Sequence, residues 1–163
     1  MRRYAAGFIV LAFLLSNIVA GAAEGAGKVC KVLPQFLDKK GRQSIEPSLY
    51  ERDAYQAYLR KHPSLRATLH VVVEYRAKGL AWQKTKLRAE LRGLITNSLQ
   101  TVTLEEPVKK SGFFGGWTAF DLTGDRYKKF GELVAWRVSL WEGDRELSEQ
   151  ESFLWSGVPK PSP

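Results

Sequence analysis

Residues that build reactive and metal sites are scarce in this chain of 163 residues. It contains one cysteine, Cys30, and two histidines, His62 and His70. A single cysteine cannot form an internal disulfide, so the fold must be stabilised by packing. We expect a buried thiol at Cys30, with an intermolecular disulfide as the alternative. The three side chains have none of the short spacings of a zinc or copper site, and we expect no metal and no other cofactor.

Catalytic signatures are also missing. The sequence contains neither a Gly-x-Ser-x-Gly element nor a Walker-type phosphate loop. One enzymatic alternative is kept: a hydrolase in which Glu105, Glu106 and His70 act as acid and base. We nevertheless expect a protein that is not an enzyme.

Long apolar runs are absent except at the N-terminus. Residues 4–15 are almost wholly apolar, follow Arg2 and Arg3, and precede the small residues Ala20-Gly21-Ala22. This order is typical of a secretory signal peptide over residues 1–23. The alternative is an uncleaved anchor, because the apolar stretch has about the roughly 20 residues of a spanning helix. We expect an exported protein, periplasmic or extracellular, that meets the membrane only through its signal peptide.

The rest of the chain has the size of one domain, residues 24–156, followed by a Pro-rich tail, 157–163, that we expect to be disordered. Removing residues 1–23 takes two of the 25 basic residues and none of the 17 acidic ones, which leaves a net charge of +6. This charge favours acidic partners. Because the basic residues are spread along the chain without a dense basic stripe, we expect no nucleic-acid partner.

The sequence predicts one inserted helix and, between the fifth and sixth strands, a short helical crossover over residues 123–131. Ser48 and Glu51 have the spacing of a helix cap, and Pro63 ends the inserted helix after His62, so we place it at about 48–62. The helix residues that we expect to face the core are Tyr50, Ala54, Ala57 and Tyr58.

Alternation of apolar and polar residues predicts strands along the remaining chain. The predicted strands are residues 29–37, 69–76, 85–92, 101–108, 117–122, 134–141 and 145–155. Pro34 places the first strand at an edge or a bulge. A turn at 142–144 joins the last two strands as a hairpin, and a bulge in the last strand explains its change of phase. The pattern predicts a mainly β fold, an immunoglobulin-like antiparallel β-sandwich of about seven strands with the helix inserted between the first two.

Three segments carry a resemblance to a known group: residues 33–38 (LPQFLD), 50–60 (YERDAYQAYLR) and 135–138 (AWRV). They are similar to segments of small exported bacterial proteins of unknown function. The resemblance implies export, but it implies no activity.

The first candidate binding feature is the glycine-rich aromatic connection of residues 111–117. It contains Phe113, Phe114 and Trp117. Exposed rings on a mobile loop favour contact with a partner. The alternative is that these rings close one end of the core.

The second candidate feature depends on strands 69–76 and 85–92 being neighbours. Arg76, Arg88 and Arg92, together with Lys86, would then lie on one sheet face. Such a face suits an acidic partner; the alternative is a solvated face with cross-strand ion pairs.

These observations predict a non-enzymatic binding or assembly module of the cell envelope. Its partner would be an envelope protein that binds an edge strand or the 111–117 connection. The alternative is a carbohydrate- or anionic-polymer-binding module, in which Trp82 or Trp117 stacks on a sugar and the arginine face binds negative charge.

Overall fold

The computed structural model describes residues 26–109 and 115–157, which form seven strands and two helices. The strands are β1 (Ala26–Asp38), β2 (Arg66–Lys78), β3 (Thr85–Ile95), β4 (Ser98–Pro107), β5 (Gly116–Thr123), β6 (Glu132–Glu142) and β7 (Arg145–Glu151). The helices are α1 (Leu49–Lys61) and α2 (Gly124–Phe130). The mainly β fold and the inserted helix are therefore confirmed. The predicted signal peptide, Phe113, Phe114 and residues 158–163 of the tail lie outside the described residues.

Two antiparallel sheets form the sandwich, with strand orders β1-β2-β5 and β4-β3-β6-β7. The chain crosses between sheets after β2, after β4 and after β5, which is the Greek-key connectivity of an immunoglobulin-like sandwich. It differs from the constant-type domain because β4 pairs with β3 and not with β5. The predicted hairpin of β6 and β7 is confirmed, as is the edge position of β1.

The core lies between the inner faces of the two sheets. Alternate residues of β2 and β3 supply much of it and are at most 1% exposed: Leu69, Val71, Val73, Tyr75, Leu87, Ala89 and Leu91. Because β2 and β3 belong to opposite sheets, their inward residues meet across the core. Their polar residues consequently point to opposite sides of the molecule.

Helix α1 packs against the edge of β1. The buried Gln56 side chain accepts a hydrogen bond from the Phe36 amide (2.8 Å) and donates one to the Phe36 carbonyl (2.9 Å). Gln56 thus satisfies main-chain groups that a neighbouring strand would otherwise bind.

The buried stripe of α1 is narrow and consists of Gln56 and Leu59. The predicted core-facing residues Tyr50, Ala54, Ala57 and Tyr58 are exposed, so that prediction was wrong. The physical reason is that the helix lies along a strand edge, where one narrow stripe suffices to bury it.

A buried arginine holds the C-terminal end of α1. The Arg66 side chain is 2% exposed and donates to both carboxylate oxygens of Glu132 at 2.6 and 2.7 Å. It also donates to the carbonyl of Leu59 (2.6 Å) and to that of Arg60, and its guanidinium lies 4.2 Å from the Phe36 ring centroid. A cation at the last carbonyls stabilises a helix end. Arg66 thereby joins α1 to the starts of β2 and β6.

The edge strands β1 and β7 each contain a bulge. The predicted bulge of β7 is confirmed, because the pairing with β6 shifts between Ser148 and Glu146 and leaves out Leu147. A second shift, between Val29 and Lys31 of β1, leaves out Cys30. Cys30 is half-buried and not buried as predicted, because the bulge disturbs the alternation of inward and outward residues.

Candidate functional site

A groove of about 570 Å³ lies between α1 and the turn that follows β1. We call it the α1 groove. Its lining combines aromatic and aliphatic side chains with several cations, and consists of Asp38, Lys39, Lys40, Arg42, Ile45, Glu51, Ala54, Tyr55, Tyr58 and Leu65.

The turn after β1 is built around the carboxylate of Asp38. Its Oδ1 accepts from the amides of Lys40 (2.8 Å) and Arg42 (2.9 Å), the pattern of a side chain that mimics a backbone turn. Gly41 has a φ of +75°, a conformation that favours glycine. The sequence Asp38-Lys39-Lys40-Gly41-Arg42 therefore forms a tight loop that places its cations at the rim of the groove.

The same carboxylate fastens this loop to α1. Asp38 Oδ2 accepts from the Tyr55 hydroxyl (2.8 Å) and from Nε of Arg42 (2.9 Å). Burial by itself would raise the pKa of Asp38, but the hydrogen bonds from Arg42, Tyr55 and Lys40 hold it well below its usual range. Asp38 is therefore an ionised anchor whose two oxygens are both engaged, and it is poorly suited to act as a general base.

An aromatic row along α1 forms one wall of the groove. The rings of Tyr55 and Tyr58 stack with centroids 6.1 Å apart, and the Tyr58 ring lies 4.2 Å from that of His62. His62 also contacts the Tyr58 carbonyl through Nδ1 at 2.9 Å. Tyr58 remains 46% exposed, so its ring is accessible to a ligand.

The rim of the groove carries positive charge. Arg42 is ion-paired with Asp38, whereas Lys39 and Lys40 form no ion pair with any residue in the described part of the chain. An accessible aromatic wall beside unpaired cations suits a ligand that offers both apolar and negatively charged groups.

The predicted arginine face is wrong. Strands β2 and β3 are in different sheets, so Arg76 is on the outer side of one sheet and Arg88 is on the outer side of the other. The alternation in the sequence identified outward positions correctly, but it carries no information on which sheet a strand joins.

Arg88 and Arg92 are held by neighbours within the domain. Arg92 is 4% exposed, donates to the Trp155 carbonyl (2.7 Å) and stacks 3.8 Å from the Trp155 ring centroid. Trp155 reaches this position because β7 ends at Glu151 and a turn follows, whereas the prediction extended the strand to Trp155. Arg88 donates to Glu105 at 2.7 Å and lies over the Trp141 ring.

The predicted acid–base residues are only partly brought together. Hydrogen bonds from Lys86 and Arg88 lower the pKa of Glu105, which lies on the outer side of the four-stranded sheet. His70 lies on the other sheet and pairs with Asp121 at 2.5 Å. Glu105 and His70 are therefore separated by the sandwich.

A second, shallow surface of about 410 Å³ surrounds Trp117. Trp117 is 56% exposed on β5, and Val72 and Ala119 lie beside it on the same sheet face. Glu106 and His70 also line this surface. Of the predicted aromatic loop residues, Trp117 is the one that lies within the described residues, and it is accessible. Trp82 is also exposed, in a short helical turn before β3.

Sequence reasoning missed the α1 groove because it assigned Ala54 and Tyr58, which line the groove, to the core. The charged turn was visible in the sequence, but its contact with Tyr55 depends on which side of the helix faces β1. That choice is made by Gln56, a polar residue that a search for apolar periodicity does not select.

Within residues 26–109 and 115–157, no helix is long and apolar enough to cross a membrane. The same residues contain no group of three or more His, Cys, Asp or Glu side chains that could hold a metal ion. No protein-family model, no curated protein and no solved structure matches this chain. The resemblance to small exported bacterial proteins accordingly stays a prediction.

Proposed function

We propose that this protein is a non-enzymatic binding module of the cell envelope and that its α1 end binds an anionic partner. The observation that carries the proposal is the α1 groove, where the accessible ring of Tyr58 lies beside the unpaired cations Lys39 and Lys40. The signal-peptide pattern of residues 1–23 supports the compartment.

The composition of the groove favours binding over catalysis. Its described lining includes no serine, cysteine or histidine, the side chains that most often serve as nucleophile or general base. Its buried carboxylate, Asp38, is fully hydrogen-bonded. The remaining polar groups offer charge and hydrogen bonds to a ligand.

Capture experiments with matched variants test the proposal. Tagged protein is incubated with envelope extracts, washed at low and high salt, and compared with Tyr58→Ser and Lys39→Gln/Lys40→Gln. We expect the variants to lose what the wild type retains, and the retained material to decrease as salt rises. Trp117→Ser is the control, because it changes an aromatic residue of similar exposure on another surface.

A partner that is lost with Trp117→Ser and kept with Tyr58→Ser would refute the assignment to the α1 groove. It would favour a second candidate function, carbohydrate or protein binding at the Trp117 surface. The exposed ring of Trp117 on a flat sheet face, beside Val72 and Ala119, supports this second candidate.

A further inference from the structure

Three large apolar or aromatic side chains at and next to the α1 groove are mostly exposed. Ile45 is 62% exposed, Leu49 is 71% exposed and Tyr50 is 80% exposed, and all three fall within six residues of the chain. We call these three residues the α1 tip. None of them belongs to the core or packs against it, so the fold does not require them to be apolar. A cluster of exposed apolar residues marks a surface that another body covers.

Two unpaired lysines lie close to the α1 tip. Lys39 and Lys40 line the α1 groove together with Ile45 and form no ion pair within the described chain. The unpaired acids Glu46 and Glu51 adjoin the tip in the sequence, whereas the unpaired bases Arg60 and Lys61 lie at the far end of α1. The positive charge available to an anionic surface at the tip is therefore that of the two lysines.

Two contacts hold the start of α1. Ser48 caps the helix by accepting from the Glu51 amide at 3.0 Å, and the contact of Tyr55 with Asp38 joins the preceding loop to the helix. Leu49 and Tyr50 lie in the first turn of α1 immediately after this cap. Side chains on a capped helix lose less conformational entropy when a partner buries them than side chains on an unstructured segment do.

We propose that the α1 tip inserts into the headgroup region of a bilayer that contains anionic lipids. This inference rests on the proposed function and names its anionic partner. Tyrosine is enriched at membrane interfaces, and apolar side chains combined with lysines are the usual means of interfacial attachment. A protein partner would need a pocket that fits the exposed side chains of the α1 tip. A fluid lipid surface can accommodate them without a preformed pocket. The proposal departs from the expectation that membrane contact ends with the signal peptide.

Vesicle sedimentation tests the proposal. The protein is purified after export, with its mass determined, and mixed with vesicles of phosphatidylcholine alone or of phosphatidylcholine with phosphatidylglycerol. Leu49→Ser/Tyr50→Ser removes the apolar tip, and Lys39→Gln/Lys40→Gln removes charge. The matched controls are Phe153→Ser, whose side chain is 98% exposed elsewhere, and Lys31→Gln, an exposed lysine of β1. All variants share one N-terminus, so differences among them do not report on residues 1–25.

We expect binding to the anionic vesicles that exceeds binding to phosphatidylcholine alone. The tip variant should partition at least about tenfold more weakly, and the lysine variant about fivefold more weakly for each lysine removed, with both controls unchanged. Thermal unfolding of each variant verifies that the fold is intact.

Three outcomes overturn the inference, and the first two differ in whether the proposed function stands. If wild-type protein does not bind anionic vesicles, but a protein captured from envelope extracts is lost with Tyr58→Ser, the partner is an acidic protein and the proposed function stands. If vesicle binding is absent and no captured material depends on Tyr58 or the lysines, both proposals fail. Equal loss of vesicle binding in Phe153→Ser would also refute the tip, because it would indicate unspecific adhesion.

Discussion

The sandwich has two open sides. On one of them, polar side chains bind the main chain of the edge strand β1. On the other, apolar residues of β4 and β5 are partly exposed. On the first side Gln56 binds Phe36, the Val29 amide donates to Ser148 Oγ (2.7 Å) and Gln150 donates to the Cys30 carbonyl (3.2 Å). On the second side Val102 and Leu104 are only half-buried.

The edge strands on these two sides have different surroundings. The β1 side replaces a missing neighbouring strand with hydrogen bonds from α1 and β7, which fix α1 and the loop that frames the α1 groove. On the β4–β5 side, the exposed Trp117 lies on the edge strand β5. We therefore expect substitutions of the residues that dock α1 on the β1 side to lower stability, and those on the β4–β5 side to leave it nearly unchanged.

The largest effect on the β1 side is expected for Arg66→Met. The substitution removes the hydrogen bonds to the carbonyls of α1 and to Glu132, and we expect a loss of about 3 kcal/mol in the free energy of unfolding. Urea denaturation measures this loss. The control Arg52→Met breaks an exposed pair with Asp53 and should cost less than about 0.5 kcal/mol; equal losses would contradict the role of Arg66.

Gln56→Ala is expected to have the next largest effect. It leaves the amide and carbonyl of Phe36 without their partner, which should cost about 2 kcal/mol. Hydrogen exchange at the Phe36 amide should accelerate by more than that of other β1 amides. Gln100→Ala on β4 is the control, since within the described residues the Gln100 side chain bonds to the nearby Ser98 side chain and to no main-chain group. An unchanged exchange rate at Phe36 would refute the edge contact.

Lowering the pH should reduce the free energy of unfolding through protonation of Asp38 on the β1 side. Its pKa in the folded protein lies below the usual value of about 4, so the folded state binds this proton only at lower pH than the unfolded chain. The contribution of Asp38 to stability is complete above about pH 4 and is lost as the pH falls through the lowered pKa.

Asp38→Asn should remove this part of the acid dependence and lower stability at neutral pH. The measurement is the urea midpoint of both proteins between pH 7 and the acid range. Asp125→Asn, at an exposed pair with Lys128, serves as the control and should leave the acid dependence as in the wild type. Parallel curves for wild type and Asp38→Asn would contradict the anchoring role.

The smallest effect on stability is expected on the β4–β5 side. Trp117→Ser should change the free energy of unfolding by less than about 0.5 kcal/mol, because the ring is already more than half exposed. We expect the same of Phe113→Ser/Phe114→Ser. A large fall in the melting temperature of either variant would place its rings in the core and remove the contrast between the two sides.

Much of the fold follows from the sequence, because alternation marks strands wherever one side of a sheet is buried. The strands around Leu69–Tyr75 and Leu87–Leu91 were predicted for this reason. Their placement in opposite sheets was not, because alternation is identical for neighbours and for strands that face each other across a core. The prediction of the arginine face failed first on this point, and also because Arg92 is buried.

The candidate site was less accessible to prediction, because polar side chains create it. Gln56 decides which side of α1 is buried, and Asp38 decides where the basic turn lies, yet both have the sequence appearance of surface residues. Arg92 is buried because Trp155 leaves the strand and folds over it. Hydrophobic periodicity does not detect such partnerships, which depend on residues that are distant in the chain.

The contact made by Gln56 also bears on how this domain can change. Gln56 bonds only to main-chain atoms, the amide and carbonyl of Phe36 and the carbonyl of Gln43. This contact makes no demand on which side chains stand at Phe36 and Gln43, and the bond from Tyr55 to the Asp38 carboxylate accompanies it. Exposed positions of α1 such as Ala54 and Ala57 can therefore be exchanged while Gln56 and Tyr55 keep the helix in place, so the binding surface that we propose can acquire new specificities on a constant β scaffold.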